Sequence, residues 1–364
     1  MKVEENYKKA RELCDRIGNT ANLFPILWGL ARMHDSRGEL RRGQNLGEQL
    51  LHLAQEAGDS ALLLEAHHEL WANLSIQGEL VSARLHIEQG FALYDRQKHR
   101  HHAFLYGGHD PAVCCAFHSA EVLWLLGYTD QALQKSRDSL ELARELSHSS
   151  TMSFALAFAA WYHQFRGEQQ VVQERVEEGI RLATEKGFAL GRANVRFLEG
   201  WLVAEGGQWQ QGIAQMSNFL IERGRASGRW TAHCAALLAD AYKKSGHTAE
   251  GLDVVNNALA RVDGTHCRYY EAELHRRKGE LLLMESVPAT VQAEASFQNA
   301  LTVARRQSAK SWELRAAMSL SRLWQRQGKR DEARKLLAEI YGWFTEGFDT
   351  ADLKDAKALL DELA

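Results

Sequence analysis

Histidine is the residue type best placed to do chemistry in this 364-residue chain, which carries 16 of them. His99, His101, His102 and His109 stand beside Asp110 in one stretch, KHRHHAFLYGGHDP. Imidazole nitrogens and a carboxylate are ligands for zinc or nickel, so a metal centre is one reading. The other is a solvated HRHH loop followed by a helix start, with Asp110 as N-cap and Pro111 in the first turn. The second reading is the stronger. Adjacent loop histidines rarely converge on one point. Cys114 and Cys115 lie one turn into the next helix and, as neighbours on a helix, face different directions. No metal ligand and no redox pair is assigned.

Other chemistries leave no trace. A GxxxxGK[ST] phosphate loop is absent, as are GxGxxG after a strand, HExxH and CxxC. The expectation is therefore a chain with no catalytic residue and no cofactor. The cysteines, Cys14, Cys114, Cys115, Cys234 and Cys267, are odd in number and irregularly spaced, which suggests reduced thiols in a cytoplasmic protein. A net charge of -3 argues against a dedicated nucleic-acid partner. No apolar run is long enough for a transmembrane helix, and the charged opening MKVEENYKKARELCDRIG lacks the apolar core of a signal peptide.

The elements that would position these residues are helices. Only 3 prolines occur, at Pro25, Pro111 and Pro288, each expected at or near a helix start. Turn motifs of one form recur: SRGELRRG, IQGELVSA, LLGYTDQA, FRGEQQVV, EGGQWQQG, KSGHTAEG and RQGKRDEA. Their glycines, Gly38, Gly78, Gly127, Gly167, Gly207, Gly246 and Gly328, are 40, 49, 40, 40, 39 and 82 residues apart. The last gap is two periods, and its missing turn is ESVPAT. Small residues keep step on either side, among them Ala132, Gly212, Gly251 and Ala333 after the turn and Ala31, Ala120, Gly200 and Ala239 before it. A turn glycine permits positive φ at a helix C-terminus, and flanking small residues let two antiparallel helices approach. Such pairs bury their apolar faces only by stacking on neighbours.

This is the spacing of the tetratricopeptide repeat with its period lengthened to near 40. The expected fold is all-α, a right-handed tetratricopeptide-like superhelix (an α-solenoid) of about eight pairs, with helices of roughly 16 to 18 residues. It should form one domain over 1–364: a lone helix at 3–17, pairs over about 21–345, an inserted loop at 96–110, and a terminal helix at 350–363.

In such solenoids the first helix of each pair lines the concave face, at positions 13, 10, 6, 3 and 2 residues before the turn glycine. These positions hold Trp28 in the first pair, Glu65 and His68 in the second, and Cys114, Phe117 and Trp124 in the third. The fourth and fifth supply Phe154, Trp161, Phe197 and Trp201; the sixth and eighth supply Lys243, Lys244, Arg315 and Arg322. A groove aromatic in its middle and basic at its C-terminal end suits a protein or peptide ligand with apolar anchors and acidic groups. Packing of the aromatics between adjacent first helices, and a solvated basic face, are the competing readings.

The stretches VLWLLGYTDQAL, LELARELSH, YYEAELHRRKGELLL and WFTEGFDTADLKDAKALLDEL, with the insertion itself, carry a further likeness. They resemble the C-terminal tetratricopeptide region of large bacterial proteins that bear a class III adenylate or guanylate cyclase domain and an ATPase domain. The resemblance covers almost the whole chain. It implies a non-catalytic interaction and regulatory module, coupled to other domains of the same polypeptide. The opening ENYKKARELCDRIGN reads like the second helix of a pair whose first is missing, as expected of a piece of a longer protein; a capping helix is the alternative. A small-ligand sensor is the second functional class.

Overall fold

The computed structural model describes every residue except 1, 18–19, 188, 224–230 and 286–288. Among the described residues the regular structure is helical throughout. α1 (Lys2–Ile17) packs on the first pair, α2 (Thr20–Ser36) with α3 (Leu40–Ala57). The second pair is α4 (Ser60–Gln77) with α5 (Leu80–Leu93). Two single-turn helices follow, α6 (Arg96–His99) and α7 (His102–Leu105). The third to fifth pairs are α8 (Pro111–Leu126) with α9 (Thr129–Leu146), α10 (Ser149–Phe165) with α11 (Gln169–Lys186), and α12 (Ala189–Glu205) with α13 (Trp209–Arg223). The sixth to eighth are α14 (Thr231–Lys244) with α15 (Thr248–Thr265), α16 (Glu271–Leu282) with α17 (Thr290–Arg306), and α18 (Lys310–Arg326) with α19 (Arg330–Tyr341). α20 (Ala351–Glu362) closes the series.

Seven of the eight pairs close on a glycine turn. All seven turn glycines adopt positive φ, from 74° at Gly38 to 96° at Gly127, and several close the helix by donating their N–H to its last carbonyls. The small residues act as expected. A Cβ on Gly212 would come within 2.6 Å of the Ala204 nitrogen and the Gly200 oxygen. Pro111 and Asp110 open α8, the Asp110 carboxylate accepting from Ala112 and Val113 N–H. Pro25 differs from expectation, because it lies inside α2 rather than at its start. Pro288 and the middle of the ESVPAT turn fall outside the described residues.

First helices of successive pairs pack on one another along the inside. Four to five pairs on, the superhelix meets itself. The last carbonyls of a helix lack intrahelical donors, and here later units supply them. Arg268 and Tyr269 N–H donate to Ile76 O at 3.0 and 3.2 Å. Ser311 Oγ donates to Trp124 O at 2.5 Å, and Arg315 Nη2 to Phe165 O at 2.6 Å. Glu346 accepts from Asp130 and Gln131 N–H at the start of α9. The C-terminal ends of α4, α8 and α10 are thus covered by the seventh and eighth pairs.

Candidate functional site

Closure fills the axis of the superhelix. Trp124 and Phe165 stack at 4.9 Å, Phe165 and His233 at 4.8 Å, His233 and Tyr270 at 4.2 Å. Trp312 packs edge-on against both Tyr270 and Trp124 at 4.9 Å. Five rings from five pairs form one partition. Burial holds the His233 pKa well below its usual value, with the Arg315 and Arg277 charges adding to the effect. A neutral imidazole therefore sits among the aromatic faces.

The concave positions named from the sequence do meet on one inner surface, but most of their rings are covered. Trp161 is 1% exposed and stacks on Phe197, which is 0% exposed. Trp28, Trp124 and Trp201 are buried too, and Phe117 stacks on Phe158 at 3.8 Å. Phe154 alone of the seven aromatics is half-buried. The expectation of an aromatic face open to a partner is corrected here: rings of neighbouring pairs cover Trp161, Phe197 and Phe117, Tyr106 covers Trp28, and Trp312, five pairs on, caps Trp124. The basic residues are also engaged. Lys243 pairs with Glu280 at 2.7 Å and Asp240 at 3.0 Å, and Lys244 with Glu205 at 2.6 Å and Asp240 at 3.1 Å. Arg315 holds Asp352 at 2.9 Å and lies over Trp124 and Trp312. Arg322 is exposed. Neighbouring first helices and α20 carry the carboxylates that a partner was expected to bring.

Among the described residues, two openings face the channel. The wider, about 330 Å³, is polar; its rim includes Trp201, Lys244, Arg277, Arg315, Arg322 and Asp355. Beneath it lies a buried ion network. Arg277 reaches Asp240 at 2.5 Å and Glu273 at 3.0 Å, and Arg276 reaches Glu273 at 2.5 Å and also pairs with Glu280. Burial works against the charge on Asp240 and Glu280, yet the adjacent Arg277, Arg276 and Lys243 hold both carboxyls far below their usual range.

The narrower opening is a chamber of about 170 Å³ between α2, α4, α8 and α10, lined by Arg32, His68, His109, Cys114, Phe117 and Phe154 among others. Here the structure overturns a second expectation. The 96–110 segment is not a solvated loop. His99, His102 and His109 are buried, and Tyr106 packs edge-on against Phe24 and Trp28. His102 Nδ1 donates to Glu65 at 2.7 Å, folding the insertion over the start of α4. Glu65 also accepts from His68 Nδ1 at 2.9 Å, and His68 Nε2 meets Cys114 Sγ at 3.1 Å. One donor atom each from His68, His109 and Cys114 lie within 4.8 Å of one another. A cysteine is thus placed to help after all, and Cys115, its Sγ turned toward Ile87 O, is not. Burial pulls the His68 pKa down, but Cys114 and Glu65 outweigh it and hold it at about 10. Burial likewise opposes ionisation of Cys114, yet His68, His109 and His118 hold that thiol well below its ordinary value. Glu65, His68 and Cys114 all stood among the concave positions and His109 in the candidate histidine cluster; that His109 meets His68 and Cys114 was missed.

A third hollow, about 410 Å³ and mostly apolar, lies between α5, α8 and α9, bordered by Ile87, Phe91, Cys115 and Leu142. Among the described residues no helix is long and apolar enough to cross a membrane.

No family model matches the chain. An uncharacterised protein of Rhizobium meliloti (strain 1021) is 26% identical over 337 residues, 87% of this chain. That match takes up 31% of the relative, so the chain spans under a third of its length. Among solved structures, a Rap protein complexed with competence and sporulation factor superposes with a TM-score of 0.57 at 9% identity, over 93% of this chain and 97% of that one. A signal transduction ATPase with numerous domains and a tetratricopeptide repeat sensor, from Pyrococcus horikoshii, gives 0.46 at 11% identity, over 99% of this chain and 54% of that one. The likeness to the Rap protein shows the architecture alone: the chain is an all-α solenoid of tetratricopeptide-like helix pairs.

Proposed function

We propose that this chain is a non-catalytic regulatory module, which receives a protein or peptide segment at its concave channel and relays that event to a cyclase or ATPase domain of the same polypeptide. The carrying observation is the polar opening beside Trp201 and Arg322, where an aromatic edge and a row of arginines meet on one inner surface. Arginine and aromatic side chains are the types enriched where peptides anchor. The similar Rap protein was solved with competence and sporulation factor bound, which supports a ligand for this architecture. The larger size of the Rhizobium relative supports further domains. The test is selection of binding peptides from a displayed random library. Arg322→Glu is expected to weaken the selected peptides at least tenfold, whereas Arg334→Glu on outer helix α19 leaves them unchanged. Peptides indifferent to Arg322→Glu would refute the channel as the binding surface. Turnover of ATP or GTP by the purified chain, lost on mutating one of its own residues, would refute the non-catalytic part.

A second reading, a small-ligand sensor, is favoured by the chamber beneath the insertion, which is nearer the size of a small molecule than of a peptide.

A further inference from the structure

The cluster at the insertion has the layout of a metal centre in both of its shells. Histidines that bind metal through one ring nitrogen almost always donate the other N–H to a carboxylate or a backbone carbonyl, which fixes tautomer and ring direction. Both histidines here do so. His68 Nδ1 donates to the Glu65 carboxylate at 2.9 Å, and His109 Nδ1 donates to Gly107 O at 2.9 Å. Each ring is therefore left with Nε2 as the nitrogen that can bind a metal. His68 Nε2 stands 3.1 Å from Cys114 Sγ. His109 Nε2 is buried and finds no hydrogen-bond partner, an expense for a polar atom in an apolar wall unless something else binds it.

We propose that His68 Nε2, His109 Nε2 and Cys114 Sγ form a mononuclear zinc site whose fourth position faces the chamber. Tetrahedral zinc with nitrogen and sulfur ligands sets its donor atoms about 3.5 Å apart. The three donors, all within 4.8 Å of one another, need only small side-chain shifts to reach that spacing. The donor set suits zinc, a borderline-soft ion that takes imidazole and thiolate together. Three protein ligands with one open position mark sites that exchange a water or an anion, whereas purely structural sites use four. Arg32, paired with Asp35 at 3.3 Å and Glu69 at 3.4 Å, makes the chamber wall beside the open position polar. Glu65 ties the site to the insertion, because its second oxygen holds His102. Zinc would thus join α4, α8 and the 96–110 segment. This site stands apart from the channel reading and survives if that reading fails.

The test uses the whole chain, reduced and stripped of metal with a chelator, then titrated with cobalt(II) as a visible substitute for zinc. One cobalt per chain is expected, with a thiolate-to-cobalt charge-transfer band and intense tetrahedral d–d bands, both abolished by added zinc. Cys114→Ser should lose the charge-transfer band and His109→Gln should bind at least tenfold more weakly, while Cys115→Ser keeps both properties. A second readout needs no variant: zinc should slow alkylation of Cys114 by iodoacetamide at least tenfold, as mapped by mass spectrometry. Absence of the band in the wild-type chain, its survival in Cys114→Ser, or alkylation of Cys114 indifferent to zinc would each overturn the proposal. The last outcome would leave a cysteine–histidine pair that functions without metal.

Discussion

Trp161 sits between Phe197 at 5.9 Å and His233 at 4.7 Å, with almost none of its surface exposed. Removing such a ring loses burial and leaves a cavity, so Trp161→Ala is expected to cost about 3–5 kcal/mol. A thermal melt matching the wild type would show the ring to be dispensable to the core. Asp240 and Glu280 offer a second check at this scale, through pH. Both carboxyls are depressed in the folded state, so their contribution is fully present above the unfolded carboxylate pKa of about 4. It is lost as pH falls below that value toward the folded pKa values. Melting temperature should therefore drop on acidification from pH 7 to pH 3, and the double variant Asp240→Asn, Glu280→Gln should melt lower at pH 7 yet drop less. An equal drop in both proteins would remove these groups from the acid response. Counting back from a turn glycine put Trp161 among the concave positions. It could not reveal how deeply Trp161 is buried, because the count fixes the face of a helix and not how closely the rings of the next two pairs, Phe197 and His233, approach.

At the scale of elements, the approach of paired helices rests on particular glycines. Gly212 has no room for a methyl group, whose nearest neighbours would be backbone atoms of α12. Gly212→Ala should accordingly push α13 from α12 and cost about 1–3 kcal/mol of overpacking. Gly264, inside α15, meets nothing within 4 Å of an added Cβ, and Gly264→Ala should gain about 0.5–1 kcal/mol from helix propensity. Denaturant melts giving the same sign for both substitutions would contradict the packing. The turns and their small flanking residues were legible because each pair repeats one local solution to one steric problem. The insertion was not. Its buried groups are single residues, Tyr106, His102 and His109, whose partners Trp28, Glu65 and His68 lie one or two units earlier in the chain. No periodicity within fifteen residues announces such contacts.

At the scale of the molecule, the superhelix is closed by its own later pairs, and closure competes with anything that must enter the channel. Trp312 is the centre of that closure. Its ring is buried against Trp124 and Tyr270, and its indole N–H donates to Tyr269 O at 2.9 Å. Trp312→Ala should lower stability by about 3–5 kcal/mol and speed amide exchange at Arg268 and Tyr269, whose N–H groups bond across the axis to Ile76 O. If binding of a channel peptide requires the open form, its apparent affinity in the wild-type chain is reduced by the fraction open. The same substitution raises that fraction. Trp312→Ala should then bind selected peptides more tightly while melting earlier, two changes of opposite sign from one residue. Ordinary damage to a binding surface lowers both quantities together. A variant that melts earlier and also binds more weakly would therefore show that closure builds the peptide site and does not oppose it.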